Sequence, residues 1–289
     1  MPVDPFSSAA ELAAAIRARR VTARELVELY LARIEKHNGA LNAVCTLDAA
    51  GARQRAREAD DALARGELWG PLHGVPMTIK DALETAGLRT TGGHPPLRDY
   101  VPRTDASAVA KLKGAGAILL GKTNVPPLSA DYRADNEIFG RTNNPWNLER
   151  TPGGSSGGAA AAVAAGLTGF DVGSDLAGSV RTPAHFCGLF GLKPTERRVP
   201  NTGHIPEPPG LPRAVRHMNV LGPLARSVQD LALVTKAMCG PDDSEWDVPP
   251  VPWLEPPRRA LHAHHPAEWL LSRLRVGLQQ QRPREQQPA

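Results

Sequence analysis

Three short stretches of this sequence concentrate side chains that could do chemistry. Gly74-Val-Pro-Met-Thr-Ile-Lys80-Asp81 ends an alternating apolar run on a lysine. Thr151-Pro-Gly-Gly-Ser155-Ser156-Gly-Gly sets two hydroxyls among four glycines. Gly173-Ser-Asp175-Leu-Ala-Gly-Ser179-Val-Arg181 places another serine 24 residues after Ser155, flanked by Asp175 and Arg181. An alcohol is a weak nucleophile and needs a base within hydrogen-bond reach. A lysine can serve only when neutral, and its free pKa of ~10.4 is too high for that near neutrality. Burial lowers it, because desolvation disfavours the ammonium. Each stretch also has a plainer reading. A lone lysine is more often solvated, and Asp175 with Arg181 could be an ordinary surface pair worth ~0–1 kcal/mol. Gly153 to Gly157 also spells G-x-S-x-G, but the nucleophile elbow of that pattern needs a strand immediately before it. Asn143 to Pro152 is turn-rich, with Asn144-Pro145 and Thr151-Pro152, and no triad histidine is evident. A phosphate-cradling loop is the remaining reading of the glycine run, but the Walker lysine is missing.

The elements that must position these residues follow from periodicity. Ser8-Ala-Ala-Glu11 and Thr22-Ala-Arg-Glu25 fit capping boxes, each ahead of an apolar-periodic stretch. Leu26, Leu29, Tyr30 and Ile34 recur at helical spacing, so the second helix buries one face. Asp48 to Arg65 reads as a third, Ala- and Arg-rich helix. From Gly74 the period changes to two: Val75, Met77 and Ile79 face one way, Thr78 and Lys80 the other. Asp105 is expected to cap a helix through Leu112 that stops at Gly114-Ala-Gly, before a buried strand at Ile118-Leu119-Leu120. Ser155-Ser156-Gly-Gly opens an Ala-rich helix to Ala165 that Gly166 ends, and a strand is expected near Leu167–Val172. Pro183 to Leu192, with Cys187, should pack beneath the Ser179 loop, and a last helix runs from about Ser227 to Met238. The β-α-β alternation argues for a sheet with helices on its faces. It puts Lys80 near a strand end, where open α/β sheets place their sites.

Composition narrows the class. Hydrophobic residues make up 41% and charged residues 22%, as in an ordinary soluble globular protein. No apolar run approaches the ~18 residues of a membrane span, and the N-terminus lacks a secretory layout, so a cytoplasmic location is expected. Cys45, Cys187 and Cys239 are odd in number and match no metal spacing, and are read as reduced and packed. Of the formal charge of +4, residues 255–289 supply +3 through six Arg and three Glu, leaving no basic stripe for nucleic acid.

The three stretches, followed in order by Phe186-Cys-Gly-Leu-Phe-Gly-Leu-Lys-Pro194, resemble the amidase signature family from about Leu12 to Gly240. The resemblance implies an α/β fold with a central twisted mixed β-sheet covered by α-helices on both faces. It implies that Ser179 is the nucleophile, Ser155 the serine held in an unusual cis peptide, Lys80 the base and Ser156 a spectator. Backbone N–H groups of Leu176, Ala177, Gly178 and Ser179 are then expected to form an oxyanion hole, one such donor typically being worth ~3–4 kcal/mol of barrier. Gly153, Gly154, Asp175 and Arg181 are expected to support the loops. Many members read Asp-Thr-Gly-Gly-Ser where this chain reads Asp-Leu-Ala-Gly-Ser, so Ala177 must adopt a backbone angle that a Cβ tolerates. The implied activity is hydrolysis of carboxylic amide C–N bonds through an acyl-enzyme, with no metal and no cofactor. The expected substrate is a small-molecule amide, with no nucleic acid bound directly and no membrane. Partners would be a second copy of the chain or amidotransferase-type subunits. Three other readings stay open: a glutamine-hydrolysing A subunit of a tRNA-dependent amidotransferase, an esterase at the same site, and an inactive truncated member.

The domain expectation is residues 1–254 as the N-terminal part of a single amidase domain, with a helical layer at 7–65 and the catalytic core at 70–240. After about Ala260 the resemblance is expected to stop. Residues 255–289 read differently: His262-Ala-His-His265, Trp269, and five of the chain's seven glutamines in the last 11 residues. The His-rich run is a weak metal tract. The expectation is a disordered or out-of-frame tail after a truncation or frameshift, leaving the sheet incomplete at its C-terminal side, with an open edge and uncovered apolar surface.

Overall fold

The computed structural model describes residues 3–205, 217–245 and 247–254. Helices α1 (Ala9–Arg17) and α2 (Ala23–Leu41) begin at the two expected capping boxes. Ser8 Oγ accepts from the Glu11 N–H at 3.2 Å while the Ser8 N–H donates back to Glu11 at 2.8 Å. The Thr22–Glu25 pair repeats this at 3.1 and 2.7 Å. Their buried faces, Leu12, Ala13 and Ile16 on α1 and Leu26, Val27, Tyr30 and Ile34 on α2, join one hydrophobic core with the sheet. Helix α3 (Ala49–Ala64) buries only its alanine stripe, Ala52, Ala56, Ala59 and Ala62.

Among the described residues the sheet has six strands: β1 (Val44–Leu47), β2 (Pro76–Lys80), β3 (Ile118–Thr123), β4 (Phe170–Asp175), β5 (Phe190–Gly191) and β6 (Val220–Ala225), in spatial order β1-β3-β2-β4-β6-β5. β2 runs parallel to β3 and β4, and the outer pairings are antiparallel. The sheet is therefore mixed. β2, β3, β4 and β6 are buried at every position, which requires cover on both pleat faces. Helices α4 (Ser107–Gly114), α5 (Gly157–Ala164), α6 (Arg181–Cys187) and α7 (Val228–Met238) complete the fold. Met1–Pro252 form one compact unit, and no helix among the described residues is long and apolar enough to cross a membrane.

Two local expectations are corrected. Asp105 does not cap α4: the cap position falls on Ala106, without a side-chain bond. One residue too early to reach the free helix N–H groups, Asp105 instead accepts from the Ala86 N–H and pairs with Lys113 Nζ at 2.8 Å. The strand expected near Leu167–Val172 runs from Phe170 to Asp175. Three residues of turn intervene after Gly166, so Gly173, Ser174 and Asp175 lie on the strand itself. Cys187 is buried with Val180, Ala184, Ala159 and Leu224 in a small second core under the 176–180 loop. All three cysteines are free. The His-rich run and the rest of 255–289 lie outside the described residues.

Candidate active site

The site forms where the C-terminal ends of β2 and β4 meet the start of α5. β2 and β4 pair in parallel with Thr78 opposite Asp171 and Ile79 opposite Val172; continued, this register sets Lys80 level with Gly173, and its amine reaches the hydroxyl of the next residue, Ser174. Gly173 makes room for the third element: a Cβ there would collide with the Ser156 hydroxyl. The Ser155-Ser156 turn can therefore lie directly on the strand. Gly153, at φ 84°, lets the turn enter from above, with Pro183 Cα only 2.9 Å from where a Cβ would stand. The peptide bond between Gly154 and Ser155 is cis.

Lys80 is fully buried. Its Nζ donates to Ser155 Oγ at 2.7 Å and to Ser174 Oγ at 2.9 Å. Burial pushes the amine down to about 7, against the opposing pull of the Asp171 and Asp175 carboxylates. A substantial neutral fraction therefore exists at ordinary pH, which a proton acceptor needs. Ser156 does not face the amine: its Oγ donates to the Ser174 carbonyl at 3.4 Å and its N–H to the Ser179 carbonyl at 3.1 Å, tying the two serine loops together.

Ser179 is half-buried and lines a cavity of about 180 Å³ with Ser129, Ala130, Asp131, Tyr132, Leu176 and Ala177. Asp175 holds this loop. Its carboxylate accepts from the N–H groups of Gly178 at 2.8 Å, Val180 at 3.1 Å and Arg181 at 3.3 Å, and from the Arg181 guanidinium at 2.9 and 3.0 Å. Burial alone would raise the Asp175 carboxyl, but the Arg181 and backbone bonds outweigh it and hold it at about 2. The Gly178 N–H is thus committed to Asp175. Among the described residues, those of Leu176, Ala177 and Ser179 have no acceptor within the loop or beyond it, which leaves three of the four expected oxyanion donors available. Ala177 is not among the residues with positive φ, whereas Gly178 takes φ 113°. The departure from Gly to Ala at 177 therefore falls where a Cβ is tolerated. Tyr132 Oη donates to the Ala177 carbonyl at 2.7 Å and pins the loop from outside.

The structure brings Lys80 and Ser155 into direct contact and ties the Ser155-Ser156 turn to the Ser179 loop by backbone. No hydrogen bond joins the Ser155 and Ser179 hydroxyls. His73 is buried and bonded to the Trp69 N–H and the Ala59 carbonyl. Sequence reading passed over Ser174, Asp171, Tyr132 and Lys122. Lys122 is a second fully buried lysine whose Nζ donates to the Leu83 carbonyl and, at 2.7 Å, to Thr85 Oγ1. For Asp171 the sequence offered only an acid set between Phe170 and Val172, a pattern that also fits a solvated edge. Among the described residues no group of three His, Cys, Asp or Glu side chains is placed to hold a metal ion.

A family model described as Amidase matches residues 25–289, past the point near Ala260 where the likeness was expected to stop. The A chain of the glutamyl-tRNA(Gln) amidotransferase of Moorella thermoacetica is 44% identical over 237 residues, 82% of this chain and 47% of that one. Its counterpart from an Anaeromyxobacter species (strain K) is 41% identical over 275 residues, 93% of this chain and 54% of that one. Among solved structures, fatty acid amide hydrolase superposes with a TM-score of 0.79 at 31% identity, covering 87% of this chain and 44% of that one. The native peptide amidase from Stenotrophomonas maltophilia gives 0.78 at 34% identity, over 86% and 51%. The chain thus spans about half the length of the curated relatives it matches.

Proposed function

Since this chain belongs to the amidase family, we propose that it carries the acyl-transfer centre of an amide hydrolase, with Ser179 as nucleophile, Ser155 as relay and Lys80 as base. The observation that carries the reading is the fully buried Lys80 amine, held near neutrality and donating to Ser155 at 2.7 Å.

In the proposed reaction, Ser179 Oγ attacks the amide carbonyl carbon. Its proton passes to Ser155, whose own proton moves to neutral Lys80. The negative charge that develops on the carbonyl oxygen is met by free N–H groups of Leu176, Ala177 and Ser179. The C–N bond then breaks as the Lys80 ammonium returns a proton through Ser155 to the leaving nitrogen. Water attacks the resulting ester by the same relay, releases the acid and restores Ser179. The link between the two hydroxyls must close in the complex with substrate, since catalytic hydrogen bonds commonly tighten only there. Labelling by a fluorophosphonate that esterifies an activated serine tests the reading. The expected result is one adduct, on Ser179, lost in Ser179→Ala and slowed at least tenfold in Lys80→Ala; wild-type labelling by Lys80→Ala would overturn the base assignment.

A second reading has its own support. The relatives cited at 41% and 44% identity are the A chains of glutamyl-tRNA(Gln) amidotransferases, so glutamine is a candidate substrate, with further subunits as partners. Glutamine hydrolysis that appears only when amidotransferase partner subunits are added would favour it over a stand-alone amidase.

A further inference from the structure

Asp171 is a buried acid that the proposed reaction does not use. It lies on β4 opposite Thr78 of β2 and is fully enclosed. Its Oδ2 accepts from Thr78 Oγ1 at 2.6 Å and from Thr123 Oγ1 at 3.0 Å, so one carboxylate joins β4 to β2 and to β3 beyond it. Both donors are neighbours of the amine: Thr78 lies two residues before Lys80 on the same strand, and Thr123 is its direct partner across β2 and β3. The other oxygen, Oδ1, is buried with no hydrogen-bond partner. A buried carboxylate so incompletely bonded is costly unless a cation offsets it.

The charged groups around it define what it can do. Burial pushes the Asp171 carboxyl itself up to about 7, with the two threonine bonds and Lys122 pulling it back, and its anionic form favours the charged forms of Lys80 on β2 and Lys122 on β3. Asp175, also on β4, acts on Lys80 from the loop side. His204, in the segment bridged to Leu83, is buried beside Lys80, its ring pushed down to about 3 by burial and then by that lysine, so it stays neutral. Asp81 and Cys45 act on Lys122. Asp171 is thus the acid that both braces the strands carrying Lys80 and supplies charge to it.

We propose that Asp171 is a positioning residue for the Lys80 amine, clamping β2 between its neighbours through the two threonines and setting how readily the amine gives up a proton. The inference rests on Lys80 being the base, and its readout is independent of turnover. In the full-length chain carrying ¹³C,¹⁵N-lysine, the Lys80 Cε–Nζ signal is identified by its loss in Lys80→Met and titrated. Asp171→Asn keeps an acceptor for the threonines and removes the charge. The Lys80 midpoint is then expected to fall by about one pH unit, a tenfold gain in acidity, because an anion that favoured the ammonium is gone. A midpoint within about 0.2 units of wild type would overturn the proposal. If that variant does not fold, Thr123→Val withdraws one donor from the carboxylate, and an unmoved or raised Lys80 midpoint there overturns it equally. A chain that titrates as expected but is not labelled at Ser179 loses the catalytic reading and keeps this one.

Discussion

At the scale of single residues, the site depends on a conflict between burial and charge at position 80. Desolvation pushes the Lys80 amine to about 7 and two acids resist it. A base works in its deprotonated form, so the fluorophosphonate labelling rate should rise with pH, reach half its plateau near pH 7 and fall about tenfold per unit well below that. Stopped-time labelling from pH 5 to 9, read by intact mass, checks this; a flat profile would remove Lys80 from the reaction. Asp175 works in the opposite sense. Its folded carboxyl, at about 2, lies below the ~3.9 of an unfolded aspartate. The stability it contributes is complete above that unfolded value and is lost as pH falls through the folded one. Asp175→Ala breaks a buried, multiply bonded acid and leaves Arg181 unpaired. It is expected to cost about 3 kcal/mol in urea unfolding at pH 7 and to abolish labelling, because the Gly178, Val180 and Arg181 N–H groups lose their common acceptor.

At the scale of elements, the site is an agreement between two strand ends and one helix start. β2 and β4 are parallel neighbours, so their C-terminal ends lie on the same side of the sheet, and the Lys80 and Ser174 side chains meet without a loop to place them. The start of α5 is admitted by Gly173. Gly173→Val should push Ser155-Ser156 off the strand and slow labelling more than it lowers stability, measured on the same preparation by labelling rate and thermal melt. Distant elements carry stability alone. Thr22→Ala removes the α2 cap and should cost about 1 kcal/mol, with the labelling rate unchanged, because no residue of α2 reaches the site.

At the scale of the whole molecule, the chain presents half the length of its relatives together with a complete set of candidate catalytic side chains. Leu176, Phe186 and Phe190 are 40, 47 and 48% exposed. They lie on or next to the loop, helix and strand around Ser179, and among the described residues β5 is an edge with only two paired residues. Apolar side chains beside an open edge favour association. Light scattering is expected to show concentration-dependent growth of particle size that Phe190→Lys reduces, while labelling of Ser179 persists.

Much of this was open to reading from the residues in order. Capping boxes at Ser8 and Thr22, the two-residue period through Ile79 and the glycines around Ser155 are local patterns, and local patterns specify local conformation. The family resemblance named Lys80, Ser155 and Ser179, which lie far apart along the chain. Other features depend on register and burial, which arise only when strands pair. That Ser174 shares the Lys80 amine follows from β2 and β4 being parallel neighbours with a glycine, Gly173, level with Lys80. That Gly178 is committed to Asp175 while Ala177 stays outside positive φ follows from how the loop closes on one carboxylate. That Asp171 faces inward, with two threonines on other strands as its donors, follows from a sheet that buries both of its faces. An acid between two apolar residues in the sequence is equally consistent with a solvated edge. Tertiary structure decided the matter by removing the water, and removing water is what makes both that acid and the amine chemically significant.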